Sequence, residues 1–188
     1  MNNFEFFNPT RIIFGKGTIQ KLNEYIRQDA SVLMCYGGGS IKENGVYDQV
    51  MSALDGWEVH EFGGIEPNPD YDTLIKAIEL GRQKKIDFVL AVGGGSVIDG
   101  AKLVAAGIPY KDGNPWDIVT GDKAVRLGEA LSLGTILTLP ATASEMNGTS
   151  VISRRATQEK FAWESEAAYP VFSILDPTTT YTLPEKQL

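Results

Sequence analysis

Two short apolar runs in this chain end on the same punctuation. SVLMCY (31–36) stops at Gly37-Gly38-Gly39-Ser40, and FVLAV (88–92) stops at Gly93-Gly94-Gly95-Ser96. Neither run alternates polar with apolar positions, which is what strands covered on both faces of a parallel sheet require. WEVHEF (57–62) alternates instead, in the manner of a half-buried strand. Tyr71, Leu74, Ile75, Ile78 and Arg82 recur at three-and-four spacing behind Asp70, a ready N-cap, and Pro67-Asn68-Pro69 forces a turn just ahead. The spacing predicts helices over about 45–54, 71–85 and 97–107. Strands and helices thus alternate along the chain, with a glycine turn after two of the strands. This order predicts an α/β fold, a dinucleotide-binding (Rossmann-like) parallel sheet with flanking helices joined by right-handed crossovers.

Further on, LGTILTLP (133–140) and PVFSILDP (170–177) are apolar and closed by Pro, with VISRR (151–155) as a weaker strand between them; the sheet is expected to continue through all three. Lys111 to Glu129 is rich in Gly, Asp and Lys, shows no period, and is expected to be a surface loop. At the start, FEFF and RIIF flank Asn8-Pro9-Thr10 and predict an N-terminal strand pair within residues 1–15, forming a sheet edge or a homodimer contact.

Composition narrows the class. The length of 188 residues fits one domain, 1–188, and 43% hydrophobic with 22% charged residues excludes disorder and fibrous architectures. Seventeen basic against 24 acidic residues give a net charge of −7, with no basic stripe, so nucleic acid is not an expected partner. No apolar stretch approaches the roughly 20 residues that span a bilayer, so no membrane is expected either. A single cysteine, Cys35, and no signal-peptide pattern point to the cytoplasm. The excess is glycine, 20 of 188 residues, where about 7% is usual.

A strand that ends in glycines and leads into a helix brings bare backbone amides to the carboxyl edge of a sheet, where the helix N-terminus adds positive potential; diphosphates bind there. Gly94, Gly95 and Ser96 have this arrangement. Ser96 and Asp99 are also spaced as a capping box, so helix capping alone is an alternative for Ser96. Neither G-x-G-x-x-G nor G-x-x-x-x-G-K fits, because Ile98 and Ala101 stand where Gly and Lys would be required. At the first cluster, Gly37-Gly38-Gly39-Ser40 is followed by no acid until Glu43, and Lys42 is near. A carboxylate there would select the ribose 2′-hydroxyl of NAD; exposed amides of Gly37 and Gly38 with the Ser40 hydroxyl favour the 2′-phosphate of NADP(H). His60 has no neighbouring ligand cluster and Cys35 sits inside an apolar strand; both are expected to be structural.

The ensemble GGGS (37–40), GGIEPNPD (63–70), AVGGGSVIDGAK (91–102), TLPATASEMN (138–147) and ILDP (174–177) resembles the iron-containing (metal-dependent) alcohol dehydrogenase family, particularly its NADP-dependent butanol dehydrogenase and aldehyde reductase branch. The resemblance covers that family's N-terminal half. It implies that Gly94, Gly95 and Ser96 hold the cofactor pyrophosphate and that Asp99 lies near the nicotinamide ribose, although an acid in a first helical turn is also explained by the helix alone. It further implies Thr138, Thr142, Ser144 and Asn147 as cofactor contacts, with Asn68 and Lys160 carried over in the same way; a solvated turn and a surface lysine are the plain alternatives. Ala143 replaces a glycine common in the family's loop, adding a methyl group.

Family members reduce aldehydes with NADPH, or oxidise alcohols in reverse, while a divalent metal (Fe, Zn or Mn) polarises the substrate oxygen. The family's metal ligands, one Asp and three His, belong to a C-terminal helical domain, and His60 is the one histidine here. No metal ligand and no catalytic residue is therefore assigned within this sequence, and the 188-residue chain alone is expected to be inactive. Two classes stay open: the NADP(H)-binding half of an enzyme, or a non-catalytic nucleotide-binding or interaction module.

Overall fold

The computed structural model describes residues 3–184; Met1, Asn2 and residues 185–188, the ends of the expected 1–188 domain, lie outside the described residues. Its strands are β1 (Arg11–Phe14), β2 (Ser31–Tyr36), β3 (Glu58–Phe62), β4 (Phe88–Gly94), β5 (Ser132–Leu139), β6 (Thr149–Arg154), β7 (Glu159–Glu164) and β8 (Phe172–Leu175). Its α-helices are α1 (Ser40–Glu43), α2 (Val46–Ala53), α3 (Tyr71–Lys84), α4 (Gly95–Gly107) and α5 (Trp116–Thr120). Six strands form one parallel sheet in the order β1-β8-β5-β4-β2-β3.

The non-alternating runs take the central places because both their faces are covered. Leu33, Cys35, Val89 and Ala91 point into a core shared with α3, α4 and α5. Their neighbours Val32, Met34, Leu90 and Val92 point the other way, onto α2 and the 3-10 turn Thr18–Glu24. β3 takes the edge, as its alternation requires, and Asp70 caps α3 by accepting from the Asp72 amide at 3.0 Å.

Three expectations are corrected. The segment expected as a sheet strand near 151–155 instead forms an antiparallel hairpin with β7, in register from Thr149 opposite Glu164 to Arg154 opposite Glu159. A tight turn, Arg155–Thr157 with Gln158 at φ 58°, links the two strands, and so short a connection joins only antiparallel neighbours. The stretch 111–129 carries the short helix α5: the Asn114 side chain accepts from the Trp116 amide at 2.9 Å, Asp117 accepts from the Asn114 amide at 3.0 Å, and Trp116 is buried against Tyr71. Of the expected N-terminal pair only RIIF becomes a strand, β1, at the sheet edge beside β8. Phe4, Phe6 and Phe7 are exposed and lie in no strand, because Asn8 folds back on the Thr10 amide (2.9 Å) and donates to the Met146 carbonyl (2.8 Å).

Candidate functional site

β2 and β4 lie side by side, yet the chain leaves them towards opposite flanks, β2 to β3 and β4 across to β5. Their carboxyl ends therefore border the topological switch point, where open α/β sheets form a crevice. Both ends are glycine turns. Gly37, Gly39 and Ser40 on one side and Gly93, Gly94 and Val97 on the other line a single cavity of about 210 Å³, with Thr138 on its wall.

The two turns differ in what requires glycine. Gly39 is left-handed (φ +105°), and no atom lies within 4 Å of where a Cβ on Gly38 or Gly39 would stand, so the space above this turn is open. At Gly95, by contrast, a Cβ would run into Thr142 Oγ1. The chain's own loop requires that glycine, whether or not a phosphate approaches it.

Helix α4 starts at Gly95, two residues earlier than expected, with Gly94 as an extended N-cap and no side-chain capping bond. The Ser96–Asp99 capping box does not form. Ser96 Oγ accepts from the Asn68 amide (3.3 Å) and Asp99 Oδ2 from the Val151 amide (3.1 Å). The first-turn amides of a 13-residue helix thus stand uncapped at the crevice, where the helix dipole favours an anion.

Three expected residues meet here. Lys160 Nζ, on the hairpin, donates to Asn68 Oδ1 at 2.8 Å, and Asn68 in turn reaches Ser96. Asn68 holds φ 56°, and the Arg155 guanidinium donates to its carbonyl and to that of Pro67 at 3.3 and 3.2 Å. A lysine 92 positions away is thereby tied to Asn68, whose own amide bonds Ser96 in the first turn of α4.

The loop after β5 is unevenly disposed. Thr138 is half-buried at the cavity wall, and Thr142 is exposed while its hydroxyl pairs with Ser144 Oγ at 2.7 Å. Ser144 is buried. Asn147 is spent on the loop itself: its Oδ1 accepts from Lys102 Nζ (2.9 Å) and the Thr149 amide (3.0 Å), and its Nδ2 donates to the Ala143 carbonyl (2.9 Å). Burial pushes the Asp99 carboxyl up, against the Val151 amide, the Ser144 hydroxyl and the Lys102 charge; its Oδ1 is buried without a partner.

Two groups at the crevice escaped the sequence. Lys102 is fully buried on α4, donates also to the Thr149 carbonyl at 2.7 Å, and is pulled down to about 8 by burial, with Asp99 and Glu145 opposing. Its signal was a lone lysine among Val97, Ile98, Ala101, Leu103 and Val104. The second is Glu61. In sequence no acid follows the first glycine turn until Glu43, but parallel pairing sets Glu61 of β3 opposite Met34 of β2, two residues before Tyr36. Its carboxylate accepts from Lys42 Nζ (3.0 Å), Tyr36 OH (3.0 Å) and Tyr47 OH (2.6 Å). Burial works against the charged form, but hydrogen bonds from Tyr47, Lys42 and Tyr36 outweigh it and hold Glu61 below the usual carboxylate range.

Cys35 is buried, and burial pushes its thiol up to about 12, leaving it inert. His60 Nε2 lies 3.0 Å from Glu58 Oε1. Among the described residues no three His, Cys, Asp or Glu side chains come together to hold a metal ion, and no helix is long and apolar enough to cross a membrane.

The iron-containing alcohol dehydrogenase family model matches residues 9–177. The NADPH-dependent aldehyde reductase YqhD of Escherichia coli is 54% identical over 100% of this chain, which covers 49% of that protein. The probable NADH-dependent butanol dehydrogenase 2 of Bacillus subtilis is also 54% identical, over 100% of this chain and 48% of its own length. Among solved structures, that of Escherichia coli YqhD superposes with a TM-score of 0.93 at 54% identity, over 99% of this chain and 48% of that one. The NADH-dependent butanol dehydrogenase A of Thermotoga maritima gives 0.93 at 47% identity, over 100% and 47%. The chain spans about half the length of the relatives it matches. The family's pattern runs through both glycine turns and on to Pro177, and the chain belongs to the iron-containing alcohol dehydrogenase family.

Proposed function

We propose that this chain binds NADP(H) across the switch-point crevice and is the nucleotide-binding part of an NADPH-dependent aldehyde reductase or alcohol dehydrogenase. The observation that carries this is the meeting of two glycine turns in one cavity, one of them opening into an uncapped helix N-terminus. In this reading the amides of Gly94, Gly95 and Ser96 hold the diphosphate, with Lys160, steered by Asn68, adding positive charge beside it. The open turn at Gly37, Gly38 and Ser40 takes the adenosine ribose and its 2′-phosphate. Thr138 and Thr142 face the nicotinamide end, and Asp99, with one acceptor oxygen unspent, serves the second ribose. Ser144 and Asn147 act by shaping their loop.

Once bound, the cofactor supplies the hydride that reduces an aldehyde or accepts one from an alcohol. The chain's own residues bind and orient it. The family's divalent metal does not fit the described residues, which bring no three-ligand set together. NADPH consumption with butanal and added Zn²⁺, Fe²⁺ or Mn²⁺ is accordingly expected to stay at the uncatalysed rate for the 188-residue chain; metal-stimulated turnover would overturn that expectation.

The primary test is calorimetric titration with NADPH and with NADH. Saturable binding, tighter for NADPH, is expected. Binding of neither would overturn the site, and tighter binding of NADH would overturn the choice of cofactor.

A further inference from the structure

Tyr36 is the last residue of β2, immediately before the first glycine turn, and Lys42 lies on α1, which that turn opens. Lys42 Nζ lies 5.1 Å from the ring centre of Tyr36 and 4.5 Å from that of Tyr47, with the Glu61 carboxylate 3.0 Å away. The bare backbone of Gly63 makes room for this arrangement, since a Cβ there would lie 2.5 Å from Tyr36 Cε2. The turn that carries Gly63 is tied to the first glycine turn by bonds from the Gly64 amide to the Gly37 carbonyl (2.9 Å) and from the Ile65 amide to the Tyr36 carbonyl (3.2 Å). A lysine that would otherwise swing freely is held by one carboxylate and two rings, two residues from Ser40.

We infer that Glu61 is a positioning residue for cofactor choice: it pins Lys42 against Tyr36, the residue before the first glycine turn, and cancels its charge there, so that the adenosine end discriminates only weakly between a 2′-hydroxyl and a 2′-phosphate. This rests on the cofactor site proposed above. Paired, Lys42 and Glu61 sum to zero charge and offer a phosphate little beyond the turn's own amides. Unpaired, the ammonium alone would attract a group bearing nearly two negative charges. The two relatives that are equally identical to this chain carry names with opposite nicotinamide cofactors, which agrees with a small energetic margin between them.

The test is a set of calorimetric affinities for NADPH and NADH on the wild-type chain, Glu61→Gln, Lys42→Met and the double variant. Glu61→Gln keeps the shape and one acceptor oxygen but releases the charge. It is expected to raise the NADPH-to-NADH affinity ratio about three- to tenfold, the scale of one exposed charge pair acting on a phosphate. Lys42→Met should lower the ratio, and the double variant should return it towards wild type. The rise should shrink in high salt, since these groups are solvent-accessible. NADH affinity serves as the control for an intact site. A Glu61→Gln variant that weakens both cofactors equally, or leaves the ratio unchanged or lowered, would overturn the inference by showing a purely structural anchor. A wild-type chain that binds neither cofactor would instead overturn the cofactor site itself.

Discussion

Lys102 Nζ sits 2.9 Å from Asn147 Oδ1, fastening the middle of α4 to the loop that follows β5. The lysine is fully buried, and burial lowers its pKa from 10.5 to about 8. The unfolded chain therefore holds this proton to higher pH than the folded one, and stability rises with pH wherever the unfolded state binds more protons. Lys102 should make the chain progressively more stable as pH rises from about 8 to 10.5 and contribute no slope well below 8. Urea denaturation of wild type and Lys102→Met across that range measures it. The difference in unfolding free energy between the two should grow in favour of wild type with rising pH, and parallel profiles would refute it.

Asn147→Leu removes one of the two acceptors of that buried ammonium, together with the bonds to the Thr149 amide and the Ala143 carbonyl. A loss of about 1–3 kcal/mol is expected from a donor left short of a partner, read from the urea midpoint at pH 7. The loss should shrink in the Lys102→Met background, because the stranded charge is then gone.

Gly95→Ala separates the two reasons for a glycine at the start of α4. The new methyl would strike Thr142 Oγ1, costing about 1–3 kcal/mol in overpacking. Adding Thr142→Ala removes the atom it strikes and should restore most of the stability. If the amides also cradle a diphosphate, NADPH binding is weaker in the double variant than in Thr142→Ala alone. Recovery of both properties together would leave Gly95 as a packing glycine alone.

Ala143 stands at φ 56°, where a Cβ costs about 1–2 kcal/mol. Ala143→Gly relieves that strain but loosens the unfolded chain by about 0.4–1 kcal/mol. A net gain of up to about 1.6 kcal/mol is expected, the reverse of the usual effect of glycine, and a thermal melt that falls would contradict it.

The central sheet and its crevice were legible because strands buried on both faces leave unbroken apolar runs, and glycine turns interrupt them at the edge where ligands bind. The hairpin was not legible. GluLysPheAlaTrpGlu (159–164) mixes charge with aromatics because one face leans on α5, where Phe161 meets Trp116 and Trp163 is buried, and the other meets solvent. Lys102 is marked only as a lone lysine in an apolar helix, and its partners, Asn147 and the Thr149 carbonyl, reach it only through tertiary packing. Glu61 lies 24 positions from Gly37 in sequence and comes to it only through the parallel register of β2 and β3. Asn68 and Lys160 entered through the family resemblance, whereas Glu61 came from neither a motif nor the resemblance.

β8 occupies the slot between β1 and β5, so the first strand of the sheet has no neighbour until the last one arrives. Asp176, just past β8, completes the closure by accepting from the Gly17 and Thr18 amides at 2.6 and 3.2 Å. During synthesis on a ribosome, β1 and the phenylalanines ahead of it must wait while the intervening chain emerges, and the β5 edge stays open for the same interval. Pairing partners so distant in sequence closes a long loop late and slowly. Nascent chains stalled before Phe172 would thus present an unpaired strand edge together with exposed Phe4, Phe6 and Phe7, the combination that general chaperones capture and that self-association exploits.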